Sequence, residues 1–89
     1  MKVTPSARTE FLEAVARLQR RDAEEAARFV LEIEDRLEEI GEGHEEVPEL
    51  GSAKHSATAS HGHRFYLRER TSGMWLIAVW PEPSIRDVV

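Results

Sequence analysis

The chain has 89 residues and contains no cysteine. A disulfide framework, a thiolate zinc site and a cysteine nucleophile are therefore excluded. Hydrophobic residues make up 40% of the sequence and charged residues 33%, and no apolar run is long enough to span a bilayer. No apolar stretch follows a basic amino terminus, which argues against secretion. We therefore expect one cytoplasmic domain over residues 1–89, without membrane association.

Positive charge is scarce and unevenly distributed. The chain carries 12 Lys and Arg against 17 Asp and Glu, a net charge of -5. Residues 1–50 hold seven of these cations and fourteen of the acids, whereas residues 51–89 hold five and three, with three of the four histidines. A general nucleic-acid coat needs a concentrated positive surface, so the overall charge argues against one. A small basic patch in the second half is still compatible with these numbers.

The first half predicts two consecutive helices. Thr4 is a suitable N-cap, and the proline after it suits the first helical position, which predicts a helix to about Arg20. Asp22, with Glu25 three residues later, has the pattern of a capping box and starts the second helix. Gly41 is predicted to end that helix in the left-handed conformation.

Apolar residues recur every three or four positions in both predicted helices, which indicates one core-facing side on each. These residues are Phe11, Leu12, Ala14, Val15 and Leu18 in the first helix, and Ala23, Ala26, Val30, Ile33, Leu37 and Ile40 in the second.

The second half predicts a small sheet. Lys2–Val3 would form a short edge strand, and residues 42–53 read as a connecting loop because they mix Gly, Pro and charge without periodicity. Strands are predicted at residues 54–60, 63–70 and 74–80, the last as a central strand buried on both faces. The expected fold class is α+β: a helical hairpin packed on a mainly antiparallel sheet of three to four strands.

The strongest candidate site is one face of the strand at residues 63–70. Phe65 and Leu67 point one way, whereas the alternating positions between and around them are polar. Arginine offers a rigid fork of donors to phosphate or carboxylate, and tyrosine can stack on a base. The candidate binding residues are Arg64, Tyr66, Arg68 and Arg70, with Lys54 on the preceding strand and Trp80 as an exposed contact at a strand end.

Two interpretations of these arginines are open at this point. They either bind a ligand or balance the acidic second helix, since a solvated sheet face needs polar residues in any case. His61 and His63 have a spacing that some zinc sites use, but a third ligand is not evident, so we predict no metal site. No P-loop, dinucleotide fingerprint or G-x-S-x-G motif occurs, so no cofactor and no catalytic residue are assigned.

The order of these segments resembles the RelE/ParE superfamily of bacterial toxins. The resemblance rests on Ser-Ala opening the first helix, on AARFVLEIEDRLEEI in the second, and on HGHRFYLRERTSGMWLIAVW after a Gly/Pro loop. The glycine-arginine element of that superfamily stands here as Gly62-His63-Arg64. The tyrosine strand stands as Phe65-Tyr66-Leu67, and the hydrophobic strand that follows it runs over residues 75–80.

The resemblance implies the toxin of a type II toxin-antitoxin pair, in a hetero-oligomer with a cognate antitoxin that wraps over its surface. Two branches of the superfamily then compete. ParE-like members inhibit DNA gyrase, whereas RelE-like members cut mRNA in the translating ribosome with several basic residues and often a tyrosine near the carboxyl terminus. A third possibility is a member that still binds its antitoxin but has lost toxicity.

The sequence departs from the nuclease pattern of the RelE-like branch. Residues 85–89 contain no tyrosine or histidine, Trp80 and Pro81 replace an arginine, and Lys54 is the only lysine in the sheet half. Only Arg64 transfers from the basic set of that branch. Because such nucleases work by positioning RNA and stabilising the charge of the transition state, the loss of these cations would cost several powers of ten in rate. The resemblance therefore favours a ParE-like toxin that binds a protein target.

Overall fold

The computed structural model describes residues 1–82, so the predicted tail at residues 83–89 lies outside the described residues. Two helices pack on a five-stranded mixed sheet, which confirms the α+β prediction with one strand more than expected. The elements in chain order are β1 (Lys2–Val3), α1 (Pro5–Arg21), α2 (Ala23–Gly41), β2 (Glu49–Gly51), β3 (Lys54–Ala59), β4 (His63–Arg70) and β5 (Gly73–Pro81).

The strands lie in the order β1-β5-β4-β3-β2. β1 is parallel to β5, and the other neighbouring pairs are antiparallel. The additional strand is β2, inside the segment that the sequence predicts as a loop, where Glu49 pairs with His55 and Gly51 with Lys54. A three-residue strand with every side chain exposed has no hydrophobic alternation, so the sequence carried no signal for it.

Both predicted helix starts are confirmed. The Thr4 hydroxyl accepts a hydrogen bond from the Ala7 N–H at 3.2 Å, and the Asp22 carboxylate accepts one from the Glu24 N–H at 2.9 Å. The predicted end of α2 is wrong, because Gly41 is helical. The left-handed glycine is Gly43, with a φ of 81°, and its N–H donates to the Ile40 carbonyl.

The core is a single layer between the helices and one face of the sheet. Phe29 of α2 and Phe65 of β4 are its largest fully buried side chains. The apolar pattern missed Phe29 and assigned Leu12 and Ala23 to the core, whereas both of these are exposed. The largest side chains that are almost completely removed from solvent are Phe29, Phe65, Ile33, Leu67, Leu76 and Val79.

A bulge in β5 decides which side chains share a face. Consecutive residues Tyr66 and Leu67 of β4 pair with Ala78 and Leu76, so β5 has one extra residue there. Regular alternation would place Trp75 and Trp80 on opposite faces because they are five residues apart. The extra residue brings both to the face opposite the helices, so the expectation that β5 is buried on both faces is wrong.

Charged side chains from the helices satisfy the open edges of the sheet. Beyond the short β1, the Val79 N–H donates to the Glu10 carboxylate at 3.1 Å. Beyond the short β2, Arg36 donates to the Thr58 carbonyl, and the Ser60 N–H donates to the Glu32 carboxylate at 3.1 Å. Unpaired strand edges otherwise invite pairing with other chains. None of the helices in residues 1–82 is long and apolar enough to cross a membrane.

Replacing Phe29 by Ala is expected to lower the free energy of unfolding by about 3–5 kcal/mol, because a fully buried ring leaves a cavity. Leu31→Ala in the same helix is the matched control: 59% of Leu31 is exposed, so its effect should stay within about 0.5 kcal/mol. Urea denaturation followed by circular dichroism measures both. Equal effects of the two substitutions would contradict the described orientation of α2.

Candidate functional site

The face of the sheet opposite the helices gathers most of the positive charge of the second half of the chain. Cross-strand partners in a sheet point to the same side, so the pairs Lys54–Arg68 and Arg68–Trp75 place three strands' side chains together. We call this surface the outer face. Its cations are Lys2, Lys54, Arg64, Arg68 and Arg70, and its aromatic residues are Tyr66, Trp75 and Trp80.

One aromatic ring of the outer face, Trp75, contacts two of its cations. The Arg70 guanidinium lies 4.8 Å from the centre of the Trp75 ring, and the Lys2 ammonium lies 5.3 Å from the same ring. The Tyr66 ring packs against the Trp80 ring at 4.9 Å between centres. Cation–π contacts of this kind restrict long side chains without neutralising their charge, so the outer face keeps its positive potential.

Arg64 is the most tightly held cation of the outer face. Its guanidinium donates to the buried Ser56 hydroxyl at 2.9 Å and, through Nε and Nη2, to the Glu82 carboxylate at 3.2 and 3.0 Å. Both donors converge on the same oxygen, Glu82 Oε1, so the contact is a charge-assisted pair and not a two-oxygen fork. On the outer face, Arg64 therefore binds a carboxylate that belongs to the same chain, that of Glu82.

The other predicted cations are free of ion pairs within residues 1–82. Lys54, Arg68 and Arg70 are exposed, and no salt bridge of the described residues involves them. The carboxylates of α2 lie on the other side of the sheet, where Glu25 pairs with Arg21 and Glu32 with Arg36. Over this part of the chain, the outer-face cations do not neutralise the acidic helix.

The structure brings all six predicted site residues to the outer face and adds two that sequence reasoning did not include. Trp80 is 49% exposed, as expected for a strand end. Trp75 was assigned to the core instead, because the bulge that turns it outward leaves no pattern in a run of seven apolar residues. Lys2 was unrecognised because its position depends on β1 pairing in parallel with β5.

The outer face suits binding better than proton transfer. Two carboxylates of the described residues reach it, and both are engaged: Glu82 with Arg64, and Glu10 with the Val79 N–H and the Trp80 indole. No histidine in the first 82 residues lies there: His55 and His63 occupy the inner side of the sheet with Leu67 and Phe65, opposite the arginines. General acid–base catalysis near neutral pH most often uses a histidine or a free carboxylate. The outer face, over the described residues, offers neither.

The two histidines flanking Gly62 do not form a metal-binding cluster. His61 has a φ of 58° in the turn between β3 and β4, and its Nδ1 lies 2.9 Å from the Ser60 hydroxyl. His63 is only 5% exposed and packs on Phe29 at 4.9 Å between ring centres. Within residues 1–82, the one group of three such donors within 4.8 Å of one another is Glu39, Glu42 and His44, all exposed at the end of α2.

Burial holds the pKa of His63 below its ordinary value of 6.5, and the Arg17 guanidinium and the His61 ring lower this pKa further. Backbone groups of Ser60 and His61 act in the opposite direction. The buried Nδ1 atom of His63 has no hydrogen-bond partner among residues 1–82. The His63 ring is therefore neutral in the folded protein near neutral pH.

Comparison of the sequence with protein families and curated proteins does not identify the protein. No protein-family model matches the chain, and no curated protein matches its sequence significantly.

His63 is expected to make the protein less stable in mild acid. Its pKa is lower in the folded than in the unfolded state, so its stabilising contribution is complete above pH 6.5 and is lost as the pH falls below that value. His63→Gln should flatten the dependence of the free energy of unfolding on pH between about pH 7.5 and about pH 5.5. Gln19→Ala, at an exposed site without a titrating side chain, is the control and should leave the slope unchanged. An unchanged slope in His63→Gln would refute this assignment.

Proposed function

We propose that this protein is a ParE-like toxin of a type II toxin-antitoxin pair, whose outer face binds an acidic surface of a protein target such as DNA gyrase. The observation that carries the proposal is the segregation of charge. In a chain of net charge -5, five cations and three aromatic rings share the one sheet face that the helices leave open. Aromatic residues and arginine are the residue types that dominate the energy of protein interfaces.

The architecture is compatible with this proposal. The resemblance implies a helical hairpin, a loop and then a tyrosine-containing strand next to a hydrophobic one, and α1, α2, β4 and β5 follow this order. Fold alone does not determine function, so the argument for the target rests on the outer face. The contact between Arg64 and Glu82 indicates the chemistry that the outer face accepts, namely a carboxylate held by a guanidinium.

Binding is favoured over RNA cleavage for a chemical reason. A ribosome-dependent nuclease has to position RNA and stabilise charge on the phosphate in the transition state. On the outer face, Arg64 is already engaged by Glu82, and the Tyr66 ring is packed against Trp80. The remaining cations can attract an anion, but the described residues supply no adjacent free acid or base to exchange protons with it.

An antitoxin has a suitable surface on the helical side of the molecule. A groove of about 310 Å³ lies between the two helices and the start of the sheet. Its wall includes Leu12 and Val3, which are 55% and 40% exposed, and its rim carries Arg8 and Glu34. We propose that an apolar segment of the cognate antitoxin occupies this groove, which would leave the protein in a hetero-oligomer when it is not toxic.

The outer face can be tested by removing its unpaired cations. The double substitution Arg68→Ala and Arg70→Ala should weaken target inhibition by at least about 10- to 100-fold, because close charge pairs across an interface contribute about 1.5 kcal/mol or more each. Purified protein is assayed for inhibition of gyrase supercoiling, and growth is followed during induced expression in bacteria. The matched control is Arg20→Ala with Arg28→Ala, which removes two exposed helical arginines and the same net charge.

The two double variants distinguish a specific surface from a general effect of charge. Loss of inhibition in the outer-face variant alone supports the proposal. Equal loss in both variants would reduce it to a charge effect, and full activity in both would remove Arg68 and Arg70 from the interface. If induced cells stop growing while gyrase is unaffected, gyrase is excluded as the target, and new mRNA 5′ ends inside translated codons would then identify the RelE-like alternative.

A further inference from the structure

A second candidate site lies on the inner side of the sheet, where β2, β3 and the end of β4 meet. A pocket of about 320 Å³ opens there, and its wall includes His55, Glu49, Glu69 and Val47. It is separate from the outer face, because His55 pairs with the inward-facing Leu67. The proposed target-binding surface does not include these residues, so a function of this pocket can be tested independently of the toxin proposal.

The tautomer of His55 is determined by its surroundings. Its Nδ1 lies 3.0 Å from the Val47 carbonyl, and a carbonyl oxygen only accepts hydrogen bonds, so Nδ1 carries the proton. The neutral ring then has its lone pair on Nε2. That atom is buried and has no hydrogen-bond partner within residues 1–82. Histidines that bind metals characteristically donate their other ring N–H to a backbone carbonyl in this way.

The distance from His55 to Glu69 fits a shared metal ion better than a hydrogen bond. Nε2 of His55 and Oε1 of Glu69 are 3.5 Å apart, which is longer than the usual 2.7–3.2 Å for a hydrogen bond. Two ligands held at about 2.0–2.2 Å from one tetrahedral zinc ion lie about 3.3–3.6 Å from each other. Glu69 has 59% of its side chain exposed, so an ion can enter from its side.

Glu49 is available as a third ligand. It is the cross-strand partner of His55 and is exposed, and directly opposite side chains on paired strands are close neighbours. Its carboxylate does not lie at ligand spacing to both other groups in this structure, so a change of rotamer is required. We propose that His55, Glu69 and Glu49 bind a divalent transition-metal ion, with Zn²⁺ as the natural occupant and water in the fourth position.

The position of the site indicates that a bound metal ion would stabilise the fold. The ion would join β2 to β3 and to the end of β4, at the point where the protein has a three-residue edge strand with no buried side chain. Metal binding to the folded state alone stabilises it in proportion to the logarithm of the metal concentration. The expected role is therefore structural, as a clamp on the segment between α2 and β3.

The test uses the full chain and the metals alone. Co²⁺ is titrated into the purified protein, tetrahedral coordination is followed by visible absorption, and Zn²⁺ is then added to displace it. One equivalent of Co²⁺ should bind, and His55→Gln or Glu69→Gln should weaken binding by at least about 100-fold, with a smaller loss for Glu49→Gln. His44→Gln removes the histidine of the exposed group at the end of α2 and should leave binding unchanged.

A measurement on the unmodified protein guards against variants that misfold. Zn²⁺ should shift the ring signals of His55 in NMR spectra while Nδ1 remains protonated, and it should leave those of His44 in place. Absence of Co²⁺ or Zn²⁺ binding would refute the proposal. Binding that persists in His55→Gln but disappears in His44→Gln would assign the metal to the helix end instead, and would equally refute it.

Discussion

The burial of one sheet face under two helices is the constraint on which the rest of this structure depends. A chain of this size removes only about 60–65% of its unfolded surface from water, and here a single layer around Phe29 and Phe65 forms the core. Both helices cover the inner face of the sheet, so the other face of β3, β4 and β5 stays in contact with solvent. Polar residues are required there, and in this acidic protein they are mostly cations.

The same shortage of chain leaves β1 and β2 too short to cover the edges of the sheet. β1 has two residues and β2 has three, next to neighbours of nine and six. Glu10 from α1 and the pair Glu32 and Arg36 from α2 hydrogen-bond to the backbone groups left over. Each helix thus contributes apolar side chains to the core and charged side chains to an edge, which opposes edge-to-edge association.

Sequence patterns within short segments correctly predicted the features that depend only on residues close together in the chain. The N-caps at Thr4 and Asp22 and the alternation of β4 are properties of short segments, and all three are confirmed. Features set by tertiary pairing were missed. The three residues of β2 form a strand only because β3 is beside them, and Trp75 faces outward only because β5 bulges against β4.

The candidate sites also contain some features that short segments predict and others that depend on tertiary pairing. Period-two alternation was enough to place Arg64, Tyr66, Arg68 and Arg70 on one face, since a regular strand fixes the direction of every side chain. The carboxylate held by Arg64 comes from Glu82, 18 residues away, and no local pattern connects them. The pairing of His55 with Glu69 likewise depends on the register of β3 with β4, so an isolated histidine in the sequence gave no indication of it.

The central claim is that the outer face binds a protein target and does not cut RNA, and mapping mRNA 5′ ends in bacteria shortly after induction tests it most directly. Growth is followed in parallel, so that toxicity and cleavage are recorded in the same culture. Our account predicts growth arrest without new 5′ ends inside translated codons. Growth arrest accompanied by new ends within codons, only while ribosomes translate, would contradict it and identify an mRNA endonuclease.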